Sequence, residues 1–135
     1  MKLLLDEPGT ADVRDAWREA QSQVASVALL AEARAALAAA RRAGRQTSSQ
    51  HRAAVDNLAV LWLEMDGVEL TEGLAVRAGE LAEIFELRGY DAVHLASAEA
   101  ISDDDTTLVT ADQDLASAAA SLGMLAVIPA AQATR

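Results

Sequence analysis

Short apolar runs alternate along this chain with longer stretches whose apolar residues recur every three or four positions. The runs are Val24–Val27, Val68–Leu70, Thr106–Thr110 and Met124–Ile128. Between them lie segments of helical period. One runs from Ala28 to Ala43 and is closed by Gly44. The next is opened by the capping-box pattern Thr47-Ser48-Ser49-Gln50 and ended by Asp66-Gly67. A third is capped by Thr71 and continues through Leu87, a fourth opens at Asp91 after a turn at Gly89, and a fifth covers Ala111 to Leu122 before Gly123. Strands separated by helices are joined by crossovers, so they run parallel and the helices cover both faces of the sheet. The expected fold is therefore α/β, in three layers with a central parallel sheet, as one domain over residues 1–135. Ahead of these elements, Leu3–Leu5 is a brief apolar run that stops at Asp6-Glu7-Pro8-Gly9, and Thr10 reads as the N-cap of a helix to about Ser22.

Composition narrows the functional classes. The chain is 52% hydrophobic but holds only two tryptophans, one tyrosine and one phenylalanine, so its core must consist of aliphatic strands and helices brought close by alanine. It has no cysteine, which excludes disulfides, thiolate metal sites and a thiol nucleophile. No apolar run approaches the roughly 20 residues that span a bilayer, and the start lacks a basic region followed by a long apolar one. A cytoplasmic protein with no membrane partner is expected. The net charge of −10 argues against binding nucleic acid by bulk attraction. From Arg34 to Arg52, however, Arg34, Arg41, Arg42, Arg45, His51 and Arg52 occur with no Asp or Glu among them. That cationic island reads equally as a solvated helix end or as a phosphate-binding surface.

The stretch Arg88 to Ala98, Arg-Gly-Tyr-Asp-Ala-Val-His-Leu-Ala-Ser-Ala, puts a carboxylate in the first turn of a helix, against the positive end of its dipole. Asp91 so placed suits a metal ligand, although on local grounds a capping Asp is the simpler reading. His94 falls three residues on, on the same face, and reads as a packed or hydrogen-bonding residue. Glu32 lies early in the helix after Val24–Val27, amid Leu29, Ala35 and Ala36, where an unpaired carboxylate is costly to bury. Asp112 and Asp114 follow Thr110 at another strand-to-helix junction, again a common position for a cap. Loops leaving the C-terminal ends of parallel strands share one edge, where ligands bind. Three separate caps have no reason to converge there; three oxygen ligands of Mg2+ or Mn2+ do. Ser102-Asp103-Asp104-Asp105 reads as a solvated loop.

Leu87 to Ala98 resembles the signature of PIN-domain ribonucleases, in particular the VapC toxins of bacterial toxin and antitoxin pairs. Leu29-Leu-Ala-Glu-Ala-Arg-Ala-Ala-Leu37 is similar to that family's second acidic motif, and Leu108-Val-Thr-Ala-Asp-Gln-Asp-Leu115 to its last. The resemblance implies an acidic pocket at the sheet edge that binds Mg2+ or Mn2+ and hydrolyses RNA. Glu32, Asp91 and Asp112 would be metal-site carboxylates, Asp114 an auxiliary one and Thr110 a positioning hydroxyl. Arg41, Arg42, Arg45 and Arg52 would meet the RNA backbone. The family also implies a VapB-like antitoxin as partner and a homodimer. Its members open with a strand ending in Asp and followed by an apolar helix, which Glu7-Pro8-Gly9 cannot supply after Leu3–Asp6. The expectation is that this first strand and its ligand are missing. A catalytically incompetent PIN-like module that only binds a partner is the alternative, and a metal-dependent phosphatase or flap nuclease is a third reading of the carboxylates.

Overall fold

The computed structural model describes residue 15 and residues 17–128. Residues 17–19 are helical, and the elements after them are β1 (Gln23–Ser26), α1 (Ala28–Arg42), α2 (Ser48–Leu63), β2 (Met65–Val68), α3 (Glu72–Phe85), α4 (Gly89–Ile101), β3 (Thr107–Val109), α5 (Gln113–Ser121) and β4 (Leu125–Val127). Both strand pairings are parallel, as the alternation with helices requires. β1 runs beside β2 from Gln23↔Met65 to Ser26↔Val68, and β3 beside β4 from Thr107↔Leu125 to Val109↔Val127. Among the described residues these are two separate ladders, with α4 packed on β1 at one side and on α5 at the other. The run Leu3–Leu5, the Asp6-Glu7-Pro8-Gly9 cluster and the start of the expected first helix lie outside the described residues.

Helix ends follow their local chemistry. After α1, Gly44 takes φ +78°. Its N–H bonds the Arg41 carbonyl at 3.0 Å while the Arg45 N–H reaches Ala40 at 2.9 Å, a Schellman closure that strains any residue but glycine. The capping box at α2 is complete: the Gln50 N–H donates to Thr47 Oγ1 at 3.1 Å and the Thr47 N–H to Gln50 Oε1 at 2.9 Å. Thr71 Oγ1 accepts from the Leu74 N–H at 3.1 Å and starts α3.

Two boundaries differ from expectation, and both differences have a physical cause. Asp66-Gly67 does not end α2; the helix stops at Leu63, and both residues belong to β2. A Cβ on Gly67 would lie 2.9 Å from the Trp62 ring and 3.2 Å from Val27, so the glycine serves the close approach of a strand to an aromatic side chain. Likewise Gly89 makes no turn: it is the first residue of α4. The chain reverses at Glu86, which adopts a left-handed φ of 54° after α3. That conformation costs a non-glycine residue roughly 1–2 kcal/mol. Compensation comes from the Leu87 N–H bond to Ala82 at 3.1 Å and from the packing of α3 against α4.

A buried apolar cluster joins α3, α4 and α5 through Ala78, Leu81, Ala92, Leu95, Ala96 and Ala119. Alanine at so many contacts lets helix axes approach closely. Leu37, Leu81 and Leu95 are fully enclosed, each contributing about 1.5–3 kcal/mol. Across α3 and α4, Arg77 Nε and Nη2 donate to Glu99 Oε1 and Oε2, both at 2.8 Å. This two-pronged bond holds the Glu99 carboxyl below its ordinary range, against the opposing effect of burial, and raises the Arg77 guanidinium further above its own. Among the described residues no helix is long and apolar enough to cross a membrane.

Candidate active site

β1 and β3 pass the chain into helices by the same device. Ser26 Oγ accepts the Ala28 N–H at 3.1 Å, and Thr110 Oγ1 accepts the Asp112 N–H at 3.1 Å, each a hydroxyl bonding the backbone two residues on. The ladders also continue one residue past each strand, with the Val27 N–H on Val68 at 3.0 Å and the Thr110 N–H on Val127 at 3.1 Å. The exit direction of each strand is thereby set before its helix begins. Glu32 leaves on α1, one turn in, and Asp112 sits at the start of α5, where its Oδ1 accepts the Leu115 N–H at 2.9 Å. Thr110 is thus half-buried and holds backbone, and Asp112 is a capping residue with its second oxygen uncommitted to the cap.

Packing of α4 on β1 brings the third acid in. Glu32, Arg88, Gly89, Tyr90 and Asp91 line one pocket of about 250 Å³. Asp91, in the first turn of α4, is 19% exposed at its side chain. An imidazole and a guanidinium organise these acids. His94 Nε2 lies 2.6 Å from Glu32 Oε2, a hydrogen bond between residues 62 positions apart. Arg88 Nε donates to Asp91 Oδ2 at 3.2 Å, while its Nη2 is 3.9 Å from Asp112 Oδ2. Glu32 and Asp91 therefore share the pocket, and Asp112 is joined to it through a single guanidinium.

The remaining sequence candidates lie elsewhere. Asp114 is exposed in the first turn of α5 and does not line the pocket. Arg41 and Arg42 close α1, Arg45 follows in the loop, and Arg52 is on α2; all four are exposed, with Arg41 Nη2 donating to Ser48 Oγ at 2.7 Å. Asp103 is occupied locally: the Thr106 hydroxyl and the Asp105 N–H donate to its Oδ1 at 2.8 and 2.9 Å, holding its carboxyl below the usual range. That agrees with a solvated loop. Asp6 lies outside the described residues.

Sequence reading did not identify Ser26 or Arg88 as part of the site, and gave His94 no partner. Ser26 carried a signal, a hydroxyl residue at a strand end within three positions of a helix start, as at Thr110. The link from His94 to Glu32 carried none, because it depends on how α4 docks.

Among the described residues no three of His, Asp and Glu are placed to hold a metal ion jointly. The donors that do share the pocket, the carboxylates of Glu32 and Asp91, are hard oxygen ligands. Mg2+ and Mn2+ are commonly held by one or two carboxylates while keeping several waters, so this donor set fits such an ion.

The PIN domain family model matches residues 1–121. Ribonuclease VapC45 of Mycobacterium tuberculosis (strain CDC 1551 / Oshkosh) is 37% identical over 123 residues, covering 91% of this chain and 85% of that protein. Ribonuclease VapC49 of Mycobacterium tuberculosis (strain ATCC 25618 / H37Rv) matches to the same extent, and Ribonuclease VapC46 of that strain is 32% identical over 133 residues, 96% of this chain and 91% of its own length. No solved structure matches the chain.

Proposed function

This chain belongs to the PIN-domain family, among its VapC-type ribonucleases, and from that membership and the pocket we propose that it is a metal-dependent endoribonuclease toxin. The observation that carries the proposal is the sharing of one pocket by Glu32 and Asp91, two carboxylates from different helices, with Asp112 tied to its edge by Arg88. An Mg2+ or Mn2+ ion bound there would activate water and offset the charge that develops on a phosphodiester. Glu32 and Asp91, which already share the pocket, are the proposed first ligands; Asp112 is proposed as the third once it moves in from the pocket's edge, with Asp114 auxiliary. Glu32, Asp91 and Asp112 are each held by something other than the ion, Asp91 by Arg88. His94 fixes one oxygen of Glu32, the α5 cap fixes one oxygen of Asp112, and Thr110 fixes the turn that delivers that cap. Such outer partners orient ligands before metal arrives.

Arg41, Arg42, Arg45 and Arg52 are proposed to attract the RNA backbone. At ~1.5 Å per residue, Arg41 lies about 13 Å along α1 from Glu32, within reach of a few nucleotides. Neutralisation is proposed to come from a VapB-like antitoxin covering the acidic pocket, in the cytoplasm where RNA and antitoxin meet. The direct test uses the full chain, end-labelled single-stranded RNA and Mn2+. The wild type is expected to cleave, EDTA to stop cleavage, and Asp91→Asn to remove it at nearly constant side-chain volume. Equal cleavage by wild type and Asp91→Asn contradicts the assignment. A chain that binds its antitoxin but cleaves no RNA is the partner-binding module instead.

A further inference from the structure

The chain's four aromatic side chains are not equivalent. Trp17, Trp62 and Phe85 are half-buried, while Tyr90 is 56% exposed. An isolated exposed aromatic needs no explanation, but this one lines the acidic pocket beside Asp91. Two residues before it, and also in the pocket lining, is Arg88, whose side chain is 83% exposed. Arg88 contributes Nε to Asp91 and Nη2 to the neighbourhood of Asp112, and a guanidinium carries five N–H groups, so donors are left over on its solvent side. Between them, Gly89 has an ordinary φ and a Cβ built on it would meet nothing within 4 Å. Neither backbone strain nor close packing accounts for that glycine. Its effect is to leave bare space between a cation and an aromatic face at the pocket.

We propose that Arg88, Gly89 and Tyr90 form a nucleotide subsite for single-stranded RNA, with one base stacked on Tyr90 and an adjoining phosphate paired with Arg88. The proposal rests on the ribonuclease reading and adds what that reading lacks, a group that holds a nucleotide next to the carboxylates. Unpaired bases are recognised by stacking on aromatic side chains, and phosphates by arginine N–H groups. The acids supply neither: they repel a polyanion and offer no ring. Arg88 therefore has two functions, steadying Asp91 within the pocket and carrying positive charge to its edge.

Binding in EDTA separates this subsite from catalysis and from metal. The probes are a fluorescent single-stranded RNA 12-mer and a 12-mer of the same ribose-phosphate backbone without bases, measured against the full chain. Stacking predicts that Tyr90→Ala weakens binding of the RNA 12-mer about 5- to 100-fold, with Tyr90→Phe within about twofold of wild type. The base-free 12-mer should bind wild type and Tyr90→Ala alike. Arg88→Gln should reduce the slope of log affinity against log salt by about 0.7. At Gly89 an added Cβ meets nothing within 4 Å and leucine suits a helix better, so Gly89→Leu should keep or raise the melting temperature while weakening RNA binding. Wild-type affinity in Tyr90→Ala or in Gly89→Leu overturns the subsite, as does an equal loss by Tyr90→Ala on both probes. Wild-type cleavage of RNA in Mn2+ that persists in those variants with unchanged KM overturns the subsite alone, whereas cleavage that persists in Asp91→Asn overturns the ribonuclease site.

Discussion

Two of the acid–base contacts among the described residues differ in geometry. At the α3–α4 contact, Arg77 and Glu99 face each other with two matched 2.8 Å bonds, and the carboxylate has both oxygens satisfied by one partner. At the pocket, one guanidinium is divided between Asp91 at 3.2 Å and Asp112 at 3.9 Å, and Glu32 gives only Oε2 to His94. The first arrangement is closed. The second leaves carboxylate oxygens without a matched donor around a 250 Å³ space, which is the condition for coordinating something from solvent. Residue type does not distinguish the two pairs; the number of oxygens left over does.

If that contrast is right, changes on the two sides must separate cleanly. The largest effect belongs to the carboxylates of the pocket. Glu32→Gln or Asp91→Asn should lower RNA cleavage by about a hundredfold or more, since metal assistance is worth several kcal/mol; a loss under threefold would mean the pocket is not the reaction site. His94→Ala comes next. It frees Glu32 to rotate and should weaken Mn2+ binding roughly tenfold, measured by calorimetry, with His94→Gln restoring part of the affinity.

A smaller effect is expected where charge is dispersed over a surface. Replacing Arg41, Arg42 and Arg45 together by Gln should reduce the salt slope of RNA binding by about 2, with Mn2+ affinity unchanged. An unaltered slope would identify the island as a solvated helix end or as a surface for the antitoxin. Smallest is the clamp. Glu99→Gln should lower the melting temperature by a few degrees at most at pH 7, because both partners are partly exposed, and should leave cleavage alone. The sign with pH is fixed by the lowered Glu99 value. Its contribution is present above the ordinary glutamate range and is lost as pH falls through the depressed folded value, so wild type and variant should converge in strong acid.

How much of this was readable beforehand divides along similar lines. Local features were legible because their causes are local. The capping box at Thr47 to Gln50, the Gly44 helix end, the strand–helix alternation and the early helical positions of Glu32, Asp91 and Asp112 all follow from neighbours in sequence. What failed was punctuation with a nonlocal cause. Gly67 looked like a helix stop but exists to admit Trp62, and Gly89 looked like a turn although Glu86 makes it under strain that helix packing sustains. The partnerships inside the site were equally hidden. Neither the 2.6 Å bond from His94 to Glu32 nor the sharing of Arg88 between Asp91 and Asp112 has any trace in spacing, since each requires α4 to be docked first.

The most direct test is a Mn2+ titration of the full chain followed by calorimetry, with Asp91→Asn and Glu99→Gln run beside the wild type. Both substitutions remove one carboxylate charge from the same helix, so nonspecific loss of anionic charge affects them alike. The account predicts that Asp91→Asn loses the binding isotherm while Glu99→Gln retains wild-type affinity. Matching isotherms for all three proteins, or a loss in Glu99→Gln equal to that in Asp91→Asn, would contradict it.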